Sequence, residues 1–114
     1  MYIVTDQQKN QLAIIFKNIL LSADGSKVMG IAIGDCLFNK NSKVIGKIIN
    51  GYAYDIPGTI IGKVESPSQS IHIELNQDML KESWNILSAI KEHTCPWITL
   101  KTEWSLSSFA DSLS

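Results

Sequence analysis

The stretch Lys27-Val28-Met29-Gly30 recurs along the chain at a fixed interval. Lys43-Val44-Ile45-Gly46 follows it after 16 residues, and Thr59-Ile60-Ile61-Gly62 follows after another 16. One interval earlier, Gln11-Leu12-Ala13-Ile14 forms a fourth and more degenerate copy. Self-similarity at a fixed period is typical of one supersecondary unit that is repeated. The period therefore predicts four copies of one unit within residues 1–66.

Each copy contains strand-forming residues, a loop of turn formers and a second β-branched run. In the last copy Tyr52-Ala53-Tyr54 precedes Asp55-Ile56-Pro57-Gly58, which leads into Ile60 through Val64. Proline followed by glycine supplies the backbone angles that a chain reversal needs. The unit is therefore predicted to be a β-hairpin, and links such as Asn50-Gly51 join one hairpin to the next.

The first copy has two interpretations, because residues 6–20 also fit an amphipathic helix capped near Thr5. The apolar residues with helical spacing are Leu12, Ile15, Phe16, Ile19 and Leu20. The repeat register instead predicts a hairpin in which Tyr2-Ile3-Val4 pairs with Leu12 through Phe16. We favour the hairpin over the helix.

Gly30, Gly46 and Gly62 occupy one column inside the predicted second strands. Glycine weakens a strand unless the absence of a side chain is used, commonly for the close approach of another backbone. We expect that approach around a pseudo-symmetry axis, where the second strands converge. Ile14 stands at this column in the first copy, so the symmetry is expected to be imperfect there.

The hairpin units, with Val44-Ile45-Gly46-Lys47-Ile48, Asn50-Gly51 and Tyr52-Ala53-Tyr54-Asp55, resemble the small bacterial proteins called four-fold β-flowers. The resemblance extends from Tyr2 to about Glu65 and implies four hairpins packed around an approximate four-fold axis. It implies no established activity, so no functional residue is carried over from the family.

Residues 67–114 lie outside the resemblance and predict a strand, a helix and a second strand. Ile71 through Leu75 alternates apolar and polar residues, as a half-buried strand does. Asn76 is the expected N-cap of a helix from Gln77 to about Glu92. Trp97 to Leu106 alternates again. The predicted fold is mostly β within the α+β class: four 16-residue β-hairpin repeats around a pseudo-symmetry axis plus a C-terminal strand-helix-strand.

The predicted helix has an apolar stripe that we expect to be buried. The stripe comprises Met79, Leu80, Trp84, Leu87 and Ile90. Trp84 is therefore expected in the core. Trp97 lies on the polar face of its predicted strand, and it either is an exposed aromatic anchor or packs under the tail at Phe109.

A chain of 114 residues with 45% apolar residues predicts one globular domain over residues 1–114. No apolar run approaches the roughly 20 residues that span a bilayer, and the N-terminus lacks the pattern of a secretory signal. Two cysteines are too few for a disulfide framework. We therefore expect a cytoplasmic protein with reduced thiols and no membrane partner.

All ten basic residues are lysines and the net charge is −1. Arginine is the usual side chain for bidentate recognition of phosphate and guanine, so this composition argues against nucleic-acid binding. Residues 67–114 carry three lysines and six acids, a mild acidity that is compatible with a basic partner.

No catalytic or metal-binding signature is present. A thiol nucleophile needs a histidine beside it, and neither Cys36 nor Cys95 has a local signature with His72 or His93. His72 and Glu74 lie two residues apart, but a metal site needs three or four converging ligands. We expect no enzyme activity, no metal and no cofactor.

The favoured function is a non-catalytic protein-binding module, for instance an immunity protein or inhibitor of a bacterial toxin or host factor. The predicted partner-binding residues are Trp97, Lys101 and Glu103, on a terminal strand expected at a sheet edge. If Trp97 is core, the interface is expected on the hairpin loops at Asn39–Ser42 and Asp55–Gly58.

The alternative is a small-ligand binder or enzyme with a pocket between the hairpin repeats and the C-terminal helix. His72, His93 and Cys95 would mark that pocket.

Overall fold

The computed structural model describes residues 1–90 and 96–113. Eight antiparallel strands, each paired with its neighbours in sequence, form a barrel that closes where the first strand pairs with the last. The strands are β1 (Tyr2–Thr5), β2 (Gln11–Phe16), β3 (Ile19–Ser22), β4 (Val28–Ile33), β5 (Cys36–Asn39), β6 (Val44–Ile49), β7 (Tyr52–Asp55) and β8 (Ile60–Glu65). Two helices follow, α1 (Gln77–Ala89) and α2 (Phe109–Ser112). The prediction of a mostly β chain is confirmed.

The first hairpin has the pairing that the repeat register predicted. β1 and β2 are antiparallel, with Ile3 opposite Ile14 and Val4 opposite Ala13. Residues 6–20 contain β2 and the start of β3, so the helical interpretation of this stretch is wrong.

Four of the loops that join neighbouring strands have a similar hydrogen-bonding pattern. They connect β1 to β2, β3 to β4, β5 to β6 and β7 to β8. In the last of them, the Asp55 N–H donates to the Thr59 carbonyl and the Gly58 N–H donates to the Asp55 carbonyl, both at 3.0 Å. Equivalent pairs of bonds begin at Asp6 and Asn39, and at Ser22 the first bond reaches one residue further, to the Lys27 carbonyl. The residue three positions after each of these starting residues has a positive φ, and these residues are Lys9, Gly25, Ser42 and Gly58. The loops thus fix how each pair of strands is joined.

The inner face of the barrel is an apolar core to which all eight strands contribute. Strands β1, β3, β5 and β7 contribute one residue each that is at most 1% exposed, namely Val4, Leu20, Leu37 and Ala53. Their cross-strand partners are Ala13, Gly30, Gly46 and Gly62. The column of small residues is therefore complete. Its fourth member is Ala13 rather than Ile14, because the step from Ala13 to Gly30 is one residue longer than the period.

The in-strand glycines do allow a close approach. A Cβ on Gly30 would overlap the Phe38 carbonyl oxygen, and a Cβ on Gly46 would overlap the Tyr54 carbonyl oxygen. These carbonyls belong to the next strand within the sheet. The expected close approach of another backbone is confirmed at these two positions. The approaching backbone is that of the hydrogen-bonded neighbouring strand, so the expectation that the second strands of the hairpins converge on one another is wrong.

Helix α2 fills one side of the inner core. Phe109 and Leu113 are buried and belong to the cluster inside the barrel. The Ser108 hydroxyl accepts a hydrogen bond from the Asp111 N–H at 3.1 Å and so caps the helix. The barrel interior is therefore occupied by the protein's own side chains.

Helix α1 covers part of the outer face of the barrel. Met79 and Ile86 are buried in a second apolar cluster with side chains from β2 to β5. The Ser42 hydroxyl donates to the Ile86 carbonyl at 2.7 Å, which ties the helix to the loop between β5 and β6. Asn76 is the N-cap, as predicted, and its side chain accepts from the Met79 N–H at 2.8 Å.

The two strands predicted on either side of α1 are absent from the described residues. Ile71, Ile73 and Leu75 are half-buried against the outer cluster, but their backbone belongs to no sheet. Beyond α1, the only strand-like feature in residues 96–113 is a single parallel bridge between Ile60 and Trp104. The strand-helix-strand prediction is therefore correct only for the helix.

Cys36 is buried and disulfide-bonded, so the prediction of reduced thiols is wrong for this residue. The other cysteine of the sequence, Cys95, lies outside the described residues. Within residues 1–90 and 96–113, no helix is long and apolar enough to cross a membrane.

Candidate functional site

The segment after the undescribed residues 91–95 presents Trp97 to solvent. Trp97 is 91% exposed, whereas the next residue, Ile98, is 5% exposed. The Lys101 N–H donates to the Gly58 carbonyl at 3.0 Å, so the segment is held on the loop between β7 and β8. The indole is therefore exposed on a backbone anchored close by.

The anchoring continues along β8. The Ile60 N–H donates to the Glu103 carbonyl at 2.9 Å, and the Ser105 N–H donates to the Ile60 carbonyl at 2.8 Å. These bonds use the segment's backbone and leave the side chains of Lys101 and Glu103 exposed. Across the described parts of the chain, neither of those two side chains makes a hydrogen bond or ion pair.

Trp97, Lys101 and Glu103 are thus all on the surface, and of the two alternatives for Trp97 the structure has the exposed one. The alternative in which Trp97 packs against Phe109 is wrong, because Phe109 lies inside the barrel. The expectation of a sheet edge is also wrong. The barrel is closed and the segment is not a strand, so it offers no free ladder to which another chain could add.

A second surface feature is an open apolar groove of about 520 Å³ between α1 and the outer face of the barrel, called here the α1 groove. Its lining residues are Lys17, Asn18, Ile19, Ile31, Ile33, Leu75, Leu80, Ser83, Trp84 and Leu87. It lies at the junction of the hairpins and the helix, where the alternative function placed a pocket. His72 does not line it, and His93 and Cys95 are not among the described residues.

Trp84 is 66% exposed, so its prediction as a core residue is wrong. The apolar arc of α1 is wider than the face that the barrel covers. Met79 and Ile86 occupy the covered part, while Leu80 and Leu87 are exposed beside Trp84. The spacing of Leu80, Trp84 and Leu87 at i, i+4 and i+7 was visible in the sequence, but the spacing does not tell which part of a wide arc is covered.

No catalytic or metal-binding arrangement occurs in residues 1–90 and 96–113. His72 Nε2 lies 3.1 Å from Glu74 Oε1, and both side chains are highly exposed. No group of three or more possible metal ligands occurs in the described ranges. The disulfide bond of Cys36 removes its thiol as a nucleophile.

Two carboxyl groups with perturbed acidity lie in hairpin loops. Hydrogen bonds from the hydroxyls of Ser26 and Ser22 lower the pKa of Asp24 to about 2. The backbone N–H of Asn10 lowers the pKa of Asp6. Both carboxyl groups are exposed, and loop hydrogen bonds account for the direction of both shifts, so these residues stabilise turns.

Comparisons of this chain with protein-family models, with curated proteins and with solved structures gave no match. Two surfaces of the described residues are therefore the candidates for binding, the one around Trp97 and the α1 groove.

Proposed function

We propose that this protein is a non-catalytic module that binds another protein through the surface around Trp97, Lys101 and Glu103. The observation that carries the proposal is the exposure of Trp97 on an anchored backbone. Tryptophan is enriched among residues that dominate binding energy. A side chain whose backbone is already ordered loses less entropy on binding, which favours affinity.

An immunity protein or inhibitor of a bacterial toxin or host factor is the kind of module that we propose. The protein's small size is in keeping with such a module, and the mildly acidic composition of residues 67–114 is compatible with a basic protein partner. A cytoplasmic location stays a prediction. The disulfide bond of Cys36 weighs against it, because disulfides persist mainly in oxidising compartments.

We also propose that the four hairpins are copies of one unit around an approximate four-fold axis, as in the β-flowers. Support comes from the four equivalent loops and from register shifts at equivalent places in the hairpins. These shifts fall at Val4/Thr5, Leu20/Leu21, Leu37/Phe38 and Ala53/Tyr54.

The test of the binding proposal is reconstitution of a complex from purified components. Candidates would be taken from pull-downs and from co-expression with neighbouring gene products, and each would be titrated against the wild type by calorimetry. The double variant Trp97→Ala with Glu103→Lys should weaken a genuine complex by about 2 kcal/mol or more, the scale of an interface hot spot. Its melting temperature should stay close to that of the wild type.

Leu106→Ala is the matched control, because Leu106 is a fully exposed apolar residue of the same segment. It should leave the affinity unchanged. A partner that binds the double variant as tightly as the wild type would move the interface to the loops at Asn39–Ser42 and Asp55–Gly58. Failure of every candidate to bind at micromolar protein would contradict the proposal.

The α1 groove favours a second function, the binding of a small ligand between the hairpins and the helix. Its volume and apolar lining are those of many ligand sites. No catalytic group accompanies it in the described residues.

A further inference from the structure

The lining of the α1 groove is apolar along most of its surface. The barrel contributes Ile19, Ile31 and Ile33, and the helix contributes Leu80, Trp84 and Leu87. These side chains offer no hydrogen-bonding groups apart from the Trp84 indole N–H. Most of a bound molecule's surface would therefore have to be hydrocarbon.

The polar part of the lining comes mainly from the turn between β2 and β3. Lys17 and Asn18 have φ of 50° and 66°, and the Asn18 carbonyl accepts a hydrogen bond from the Ala32 N–H at 2.8 Å. The turn is therefore fixed to β4. Ser83 is the third polar residue in the described part of the lining.

Among the described residues, Lys17 is the only ionisable side chain that lines the groove. Its Nζ lies 5.4 Å from the centroid of the Phe16 ring, and it makes no ion pair within residues 1–90 and 96–113. In residues 1–90 and 96–113 the groove thus combines a hydrocarbon surface with one cation that has no ion-pair partner, and no carboxylate lines it. An anionic group has a charge partner there, whereas a cationic group has none.

We infer that the α1 groove binds an amphiphilic carboxylate. Its hydrocarbon chain lies between α1 and the isoleucines of the barrel, and its carboxylate pairs with Lys17. The volume of about 520 Å³ lies within the usual range for small-molecule sites, roughly 300–1,000 Å³. This inference is independent of the protein-binding proposal, because none of the lining residues belongs to the Trp97 surface.

Calorimetric titration with dodecanoate, below its micellar concentration, tests the inference on the full chain. We expect saturable binding of one molecule per chain. Dodecyltrimethylammonium has the same hydrocarbon chain and the opposite charge, so it should bind about 5-fold or more weakly, the upper end of a solvent-exposed ion pair. Equal affinities for the two amphiphiles would overturn the role of Lys17, and no saturable binding of dodecanoate would overturn the site.

Two variants locate the binding. Lys17→Asn removes the cation and keeps a residue that tolerates the left-handed region, so it should reduce the affinity for dodecanoate about 5-fold. Lys81→Gln is its control, because Lys81 is exposed on α1 and does not line the groove. Leu80→Glu places a carboxylate in the lining and should reduce the affinity more than Lys17→Asn does.

An unchanged affinity in Leu80→Glu, with an unchanged melting temperature, would place the bound dodecanoate elsewhere and overturn the inference. A different outcome is that the α1 groove forms the interface between two copies of the chain. Sedimentation would then show a dimer that Leu80→Glu dissociates, and this too would overturn the inference.

Discussion

The barrel and the segment that follows it differ in how their backbone groups are hydrogen-bonded and how their apolar side chains are buried. Within residues 2–65 every strand is paired on both sides, and the apolar side chains of the inner face are almost completely covered. Residues 66–90 and 96–113 form one 13-residue helix, one short helix and irregular backbone. The barrel strands bond mainly to one another, whereas the later segment is held in place by contacts with the barrel, including backbone hydrogen bonds to Gly58 and Ile60.

The exposed apolar surface follows this division. Nine large apolar side chains of the described residues are exposed, and six of them lie beyond residue 65. These six are Leu80, Trp84, Leu87, Trp97, Leu100 and Leu106. Most of the exposed apolar surface therefore lies outside the barrel, on the segment where we propose that binding occurs. If so, substitutions in the barrel should change stability, and substitutions of the exposed residues should change binding.

The largest effect is expected inside the barrel. Gly46→Val should destabilise the protein by about 3 kcal/mol or more, because a branched side chain would collide with the backbone of Tyr54. Lys47→Val, at the next position and only half-buried, should change the free energy of unfolding by less than about 1 kcal/mol. Urea denaturation of both variants measures the difference.

Equal losses of stability in the two variants would contradict the close approach at Gly46. Gly34→Ala is a further control, since an added Cβ there meets no atom within 4 Å. Its cost should come only from the positive φ of 56° and stay near 1 kcal/mol.

A smaller effect is expected within the later segment, at two adjacent residues. Ile98→Ala should destabilise the protein by about 2–4 kcal/mol, because Ile98 is buried. Trp97→Ala should change the free energy of unfolding by less than about 0.5 kcal/mol, because the indole is exposed. Thermal unfolding of both variants, at one pH and protein concentration, is the measurement. A loss at Trp97 as large as that at Ile98 would make Trp97 structural.

The sequence predicted the hairpins because their glycines and turn residues recur at a short period. A step of 16 residues back from Gly30 leads to Ile14, so the sequence predicted Ile14 as the fourth member of the glycine column. The pairing of Val4 with Ala13 and of Leu20 with Gly30 shows that this step is one residue longer. A loop can absorb an extra residue without changing the strands on either side. The closure of the barrel by β1 and β8 was not predicted either, because no local pattern reports pairing between the two ends of a repeat.

The failed strands have a specific physical cause. Ile71, Ile73 and Leu75 are half-buried, while His72 and Glu74 between them are exposed, so the alternation was correct about burial. A strand also needs a neighbour with free N–H and C=O groups, and each strand of the closed barrel already has two neighbours. The start of β8 is an exception, but there only Ile60 bonds to the later segment, at Glu103 and Ser105, which makes a single bridge. The alternation of apolar and polar residues therefore predicted which side chains face the barrel, but it did not show whether the backbone pairs with a strand. The same limitation applies to Trp97, which was placed on the polar face of a strand that does not form.

The smallest effect concerns the loop between β3 and β4. The pKa of Asp24 is lowered from 3.8 to about 2, first by the Ser26 hydroxyl and then by the Ser22 hydroxyl. These hydroxyls donate to Asp24 Oδ1 at 2.6 and 2.7 Å. In the unfolded chain the carboxylate has its ordinary pKa, so it takes up a proton at a higher pH than in the folded protein. The stabilisation is therefore complete above pH 3.8 and is lost as the pH falls to about 2.

Ser26→Ala tests this prediction, because it removes the largest cause of the shift. The carboxyl carbon of Asp24, followed by NMR, should then titrate closer to 3.8, and the melting temperature should fall less steeply between that pH and about 2. Ser68→Ala, in the exposed joint before α1, is the control and should leave both curves unchanged. An Asp24 titration midpoint that Ser26→Ala does not raise would show that the Ser26 hydroxyl does not hold this carboxylate. The Ser22 hydroxyl and the Ser26 N–H, at 2.7 and 3.0 Å from Asp24 Oδ1, would then have to account for the lowered pKa.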